Sequence, residues 1–133
     1  LLERIKHLIR EYYHPNKVYT VAFNQLYSMT RSFPGKFARF IVMKDGKIYI
    51  ANGHEMIHID MISNKMGAGK LTDEVWEVFQ NKISAMGVIN TDEKYYAILN
   101  YEGTSPNDLG EKSQKIVDFI EKSGLKRETT YRW

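Results

Sequence analysis

The sequence predicts an α+β fold: a single small domain in which antiparallel β-hairpins pack against about five helices. Three features lead there. Phe37 to Met43 and Lys47 to Ala51 are extended apolar runs joined through Asp45-Gly46, a dipeptide that favours a tight hairpin. Ala85 to Ile89 and Lys94 to Tyr101 repeat the arrangement around Thr91-Asp92-Glu93. Around these runs, apolar residues recur with the period of a helix that buries one face.

The elements follow in order. Leu2, Ile5, Leu8, Ile9 and Tyr12 have helical spacing, and His14-Pro15 should stop that helix. A second helix is expected over Val21 to Met29, and Ser32-Phe33-Pro34-Gly35 reads as a turn. Asp45-Gly46 is expected to form a type I′ turn with positive φ at both residues. Asn52-Gly53 breaks the second strand, and Asn52 is placed to cap a helix from about Gly53 to Met66, ended by Gly67-Ala68-Gly69. Thr72 is an N-cap for a further helix, with Asp73 and Glu74 in its positive first turn and Val75, Trp76, Phe79 and Ile83 as its buried stripe. Ser105-Pro106-Asn107-Asp108 opens the last long helix, whose apolar face is Leu109, Ile116, Val117 and Ile120. Gly124 is expected just past its end, with Leu125 packing back, and the tail from Leu125 to Trp133 is expected to add an edge strand.

Composition narrows the function classes. A chain of 133 residues buries roughly two thirds of its unfolded surface, and 43% hydrophobic with 26% charged residues is a globular balance. Cysteine is absent, which fits a reducing compartment. No apolar run approaches the roughly 20 residues that cross a bilayer, so no membrane partner is expected. Leu1-Leu2-Glu3-Arg4 carries charge where a secretion signal needs an apolar stretch, and the expected location is cytoplasmic. Nineteen Lys and Arg against sixteen Asp and Glu leave a net charge of +3, with a pI near 9.0. That bias permits a nucleic-acid partner without requiring one.

One motif carries specific chemistry. His54-Glu55-Met56-Ile57-His58 fits His-Glu-x-x-His. On a helix, two imidazoles four positions apart share a face and can hold zinc, while the intervening Glu polarises a metal-bound water. These five residues resemble the active helix of zincin metallopeptidases, in particular SprT-like DNA–protein crosslink proteases. The resemblance implies zinc as cofactor, His54 and His58 as ligands, and Glu55 as the catalytic general base. Glu77 follows His58 at the interval seen in gluzincin aminopeptidases, which implies Glu77 as the third ligand. Helix geometry opposes that role. Glu77 falls across the wheel from Trp76 and Phe79, on the side that faces solvent. The competing reading is a helix with two boundary histidines and no cofactor.

A second set of residues suits binding. Arg31, Lys36, Phe37, Arg39, Lys44 and Lys47 interleave cations with an aromatic along the first hairpin, a composition that can neutralise phosphates and stack on bases. The same residues also fit a strand with core aromatics and solvated cations. Gly67-Ala68-Gly69-Lys70-Leu71-Thr72 lacks the first glycine and the strand-to-helix setting of a phosphate loop. Phe40 to Ile62 resembles segments of phage-encoded proteins of uncertain role, which implies no activity. The leading expectation is a non-enzymatic macromolecule-binding protein, of phage or mobile-element origin, using the basic-aromatic hairpin surface on a nucleic acid or protein partner. A small zinc-dependent hydrolase is the alternative, and a metal-free nuclease the third.

Overall fold

The computed structural model describes residues 17–66, 72–101 and 110–128. Within these, six strands make one sheet: β1 Tyr19–Val21, β2 Phe37–Met43, β3 Ile48–Asn52, β4 Ile83–Asn90, β5 Tyr95–Asn100 and β6 Lys126–Arg127. Their order is β1-β3-β2-β4-β5-β6. Four α-helices accompany them: α1 Leu26–Ser32, α2 His58–Met66, α3 Asp73–Gln80 and α4 Glu111–Lys122. The α+β class therefore holds, with four described helices in place of about five. The helix expected over Leu2 to Tyr12 lies outside the described residues, as do the Gly67-Ala68-Gly69 stop and Ser105-Pro106, but the last helix opens later than expected, at Glu111 after an extended Gly110.

Both expected hairpins form, β2 with β3 and β4 with β5. They join edge to edge through antiparallel pairing of β2 with β4, in which Phe40 lies opposite Gly87. The sheet is mixed rather than purely antiparallel, because β6 runs parallel to β5. The reason is connectivity: α4 carries the chain back along the sheet between the two strands, as a parallel neighbour requires. Gly124 adopts φ 97° just after α4 and Leu125 is buried, as the helix-end signal implied.

β4 is buried along its whole length and β2 nearly so, since helices cover both faces of the sheet. On one face Ala38, Phe40 and Val42 join Ile50, Ile89 and Tyr96 beneath Leu26 of α1 and Ile116, Val117 and Ile120 of α4. On the other, Ile41, Met43, Ala51 and Met86 pack beneath Met61 and Ile62 of α2 and Phe79 of α3. A register shift between Val42 and Met43 leaves Ser84 as an extra residue in β4. Its hydroxyl meets that of Ser113 on α4 at 3.3 Å, and both residues are fully buried.

Four local expectations are corrected. Val21 ends a strand instead of opening a helix: Tyr19-Thr20-Val21 pairs with β3, the helical segment starts with a 3-10 turn at Phe23–Gln25, and α1 follows from Leu26. The first hairpin closes with a three-residue loop. The Met43 amide donates to the Lys47 carbonyl at 2.8 Å, the Gly46 amide donates to the Met43 carbonyl at 2.9 Å, and only Gly46 has positive φ. This is the bulged turn with one left-handed residue, not type I′. α3 stops at Gln80, so Ile83 belongs to β4 and not to the helix stripe, although Thr72 does cap α3 by accepting from the Val75 amide at 3.2 Å. Finally, α2 begins at His58, not Gly53. Asn52 spends its side chain on a turn, where Oδ1 accepts from the His54 amide at 3.0 Å and the Asn52 carbonyl accepts from Met56 at 3.0 Å.

Candidate anion-binding site

The end of the sheet at the first hairpin tip gathers cations from segments distant in sequence. The bulged loop presents Lys44 and Lys47 to solvent, with Asp45 Oδ1 accepting from the Lys47 amide at 2.9 Å. The Lys44 amide donates to the Lys82 carbonyl at 2.8 Å, which ties the tip to the turn that enters β4. From the other side, Lys112 in the first turn of α4 donates its ammonium to the Lys44 carbonyl. Lys115, one turn on, holds its Nζ 4.3 Å from the centroid of Phe23. Lys44, Lys47, Lys82, Lys112 and Lys115 are all exposed. The acids among these segments are Asp45, 4.0 Å from Lys47 across a solvated pair, and Glu111.

Beside Lys112 and Lys115, next to the hairpin loop, lies an apolar groove of about 320 Å³. Val21, Val42, Ile48 and Ile116 line it, Phe23 walls it, and Lys112 and Lys115 stand at its rim. Phe23 is held edge-on to Phe119, with ring centroids 5.7 Å apart and planes at 90°. Clustered lysines raise the local potential, and the apolar surface between them weakens the screening of that potential by water.

The other expected binding residues are spread along β2. Lys36 opens the strand in a left-handed conformation, φ 52°, while Lys44 and Lys47 follow its far end. A strand of that length spans roughly 20 Å, so the cations fall at opposite ends of β2. Arg31 lies near the end of α1, exposed, with its guanidinium 5.9 Å from the Tyr27 ring. Phe37 is buried at 7% exposure, which withholds its ring from a base. Arg39 is half-buried: Nε donates to the Met56 carbonyl at 3.0 Å and the guanidinium lies 5.3 Å from the Phe37 ring.

The structure also separates the zincin-like residues. His54 stands in the turn before α2, exposed, its ring 5.2 Å from that of Phe37. Gly35 leaves the room for it, since a Cβ there would lie 2.5 Å from His54 Nε2. His58 turns into the core, with Nε2 2.9 Å from the Gly87 carbonyl oxygen. A carbonyl only accepts, so Nε2 carries the proton. Burial lowers the His58 pKa to about 4; the Arg39 charge acts in the same direction, and the Gly87 and Phe40 carbonyls oppose it. Glu55 is exposed in the turn, and Glu77 is exposed on α3. The shared helix face that the zinc reading needs is absent, because only His58 is helical. Among the described residues, no three His, Asp or Glu side chains form a group able to hold a metal ion.

No protein-family model matches the chain, and comparison with curated proteins and with solved structures finds no similar protein. Among the described residues, no helix is long and apolar enough to cross a membrane. Phe23, Lys82, Lys112 and Lys115 escape a reading of the sequence. Lys112 and Lys115 look like ordinary solvated positions beside Ile116, and only the packing of α4 brings them to the hairpin tip.

Proposed function

We propose that this chain is a non-catalytic binding module that engages an anionic macromolecule through the hairpin-tip end of its sheet. The observation that carries the reading is an apolar groove rimmed by Lys112 and Lys115, beside a hairpin loop whose exposed Lys44 and Lys47 adjoin it through the Lys112 contact with the Lys44 carbonyl. Holding like charges together stabilises no fold. They remain soluble here because each ammonium is exposed, and an anionic partner gains from all of them at once.

Fluorescence anisotropy with a labelled single-stranded oligonucleotide and with labelled poly-glutamate, over a salt series, tests this. Binding should weaken steeply with salt as counterions are released. The double reversal Lys44→Glu with Lys112→Glu should lower affinity by about tenfold or more, whereas Arg31→Glu with Lys36→Glu should leave it nearly unchanged. Absence of binding to either polymer at low salt would sink the reading. Equal loss from the two double variants would move the site off the hairpin tip.

A further inference from the structure

We infer that the groove receives one bulky apolar side chain from an acidic peptide segment, so that the partner of the lysine-rimmed end is a protein. The inference rests on the reading above and deepens it by naming the partner's chemistry. The groove has about 320 Å³, at the lower end of the roughly 300–1,000 Å³ typical of ligand pockets. Val21, Val42, Ile48 and Ile116 give it an aliphatic floor, and the polar groups of its lining side chains are the ammoniums of Lys112 and Lys115 at the rim. Single-strand binders that do not read base edges typically add an open aromatic face on which bases stack. Phe23 does not offer one: its edge contact is with Phe119 and Lys115 stands over the ring, 4.3 Å from the centroid. Phosphates would engage the lysines and leave the groove unfilled.

An acidic peptide with an apolar anchor matches both parts. A leucine or phenylalanine side chain would displace water from the groove, where a buried anchor contributes most of an interface's affinity. Flanking carboxylates would pair with Lys112 and Lys115 at the rim and with Lys44 and Lys47 of the adjoining loop. Rim pairs of this kind steer the encounter and fix orientation more than they add affinity.

The probes are a synthetic Glu/Asp-rich peptide with one central Phe, the same peptide with Ala there, and a single-stranded oligonucleotide of matched charge. The Phe peptide should bind about 10- to 100-fold tighter than the Ala peptide, the gain expected from burying one aromatic side chain. Ala22 lines the groove and is exposed, so Ala22→Met should plug the groove with an aliphatic side chain without disturbing the core. It should erase the preference for Phe and leave the affinities for the Ala peptide and the oligonucleotide unchanged. In the unsubstituted protein, the Phe peptide should shift the methyl resonances of Ile48 and Ile116 through its ring current, a readout independent of any variant's folding. Equal affinity for the Phe and Ala peptides, with both lost on charge reversal, overturns the inference and leaves the broader reading standing. An oligonucleotide that outcompetes the Phe peptide overturns it in favour of nucleic acid. If none of the three binds, both fail.

Discussion

Gly87 and His58 occupy neighbouring positions on opposite faces of the sheet, and each makes a sharp expectation about stability. A Cβ at Gly87 would lie 2.2 Å from Phe40 Cζ and 2.6 Å from the Ala97 carbonyl oxygen. The ring can tilt, but the backbone oxygen cannot easily retreat. Gly87→Ala should therefore cost about 1–3 kcal/mol, read as a lowered urea midpoint. Adding Phe40→Leu should recover only the part caused by the ring. His58 has a pKa near 4 in the fold against 6.5 unfolded, so the unfolded chain takes up a proton that the folded chain refuses. Its neutral form is without penalty above pH 6.5, and stability should fall as pH drops from 6.5 toward 4. The full loss is on the order of 3 kcal/mol. Urea titrations at pH 7.5 and 5 should show the decline in the parent protein and a flatter profile in His58→Gln, whose amide can still donate toward Gly87. An unchanged slope would mean that His58 titrates normally. At this scale the sequence marks His54 and His58 as unusual neighbours. It does not show that one ring packs on Phe37 while the other enters the core.

At the scale of elements, the first hairpin illustrates how a local signal can be right in kind and wrong in detail. Asp45-Gly46 announces a turn, yet only Gly46 takes a left-handed φ, 93°, with open space where a Cβ would stand. Gly46→Ala should cost about 1–2 kcal/mol through backbone strain alone, since nothing collides with the added methyl. Asp45 should tolerate β-branched or other negative-φ residues that a type I′ turn would reject. Comparing thermal midpoints of Gly46→Ala and Asp45→Thr separates the two turn types: type I′ geometry requires both variants to be strained. The start of α2 was hidden for a related reason. Asn52 is a competent cap for a helix or for a turn, and the chain takes the turn because Met56 and His58 then reach the core. Thr72 and Gly124 have no such competitor, and the boundaries of α3 and α4 near them are legible.

At the largest scale, the first hairpin and α4 meet through exposed lysines. Lys44, Lys47 and Lys112 are solvent-exposed, so Lys44→Glu with Lys112→Glu should change stability by no more than about 0.5 kcal/mol per site. Relief of the crowding between the two lysines could even raise it slightly. Circular dichroism melts of the double variant should therefore match the parent, which assigns any lost binding to the surface itself. A large fall in midpoint would instead make the Lys112 contact with the Lys44 carbonyl part of the scaffold.

The α+β class, the two hairpins, the Thr72 cap, the Gly124 end of α4 and the tail strand after it are written in the local order of residues. Each is encoded within a few residues, by φ preference, by apolar period, or by a side chain that caps its own neighbours. The remainder depends on contacts between distant segments. Tyr19-Thr20-Val21 becomes a strand because β3 offers an edge, and β2 meets β4 because two covered faces need one continuous sheet between them. The lysine-rimmed groove depends on the same long-range pairing, since Val42, Ile48 and Ile116 become its lining only when α4 crosses the hairpin. Such contacts draw their free energy from burial between segments far apart in the chain, and which distant segment a buried face meets has no signature in the local order of residues.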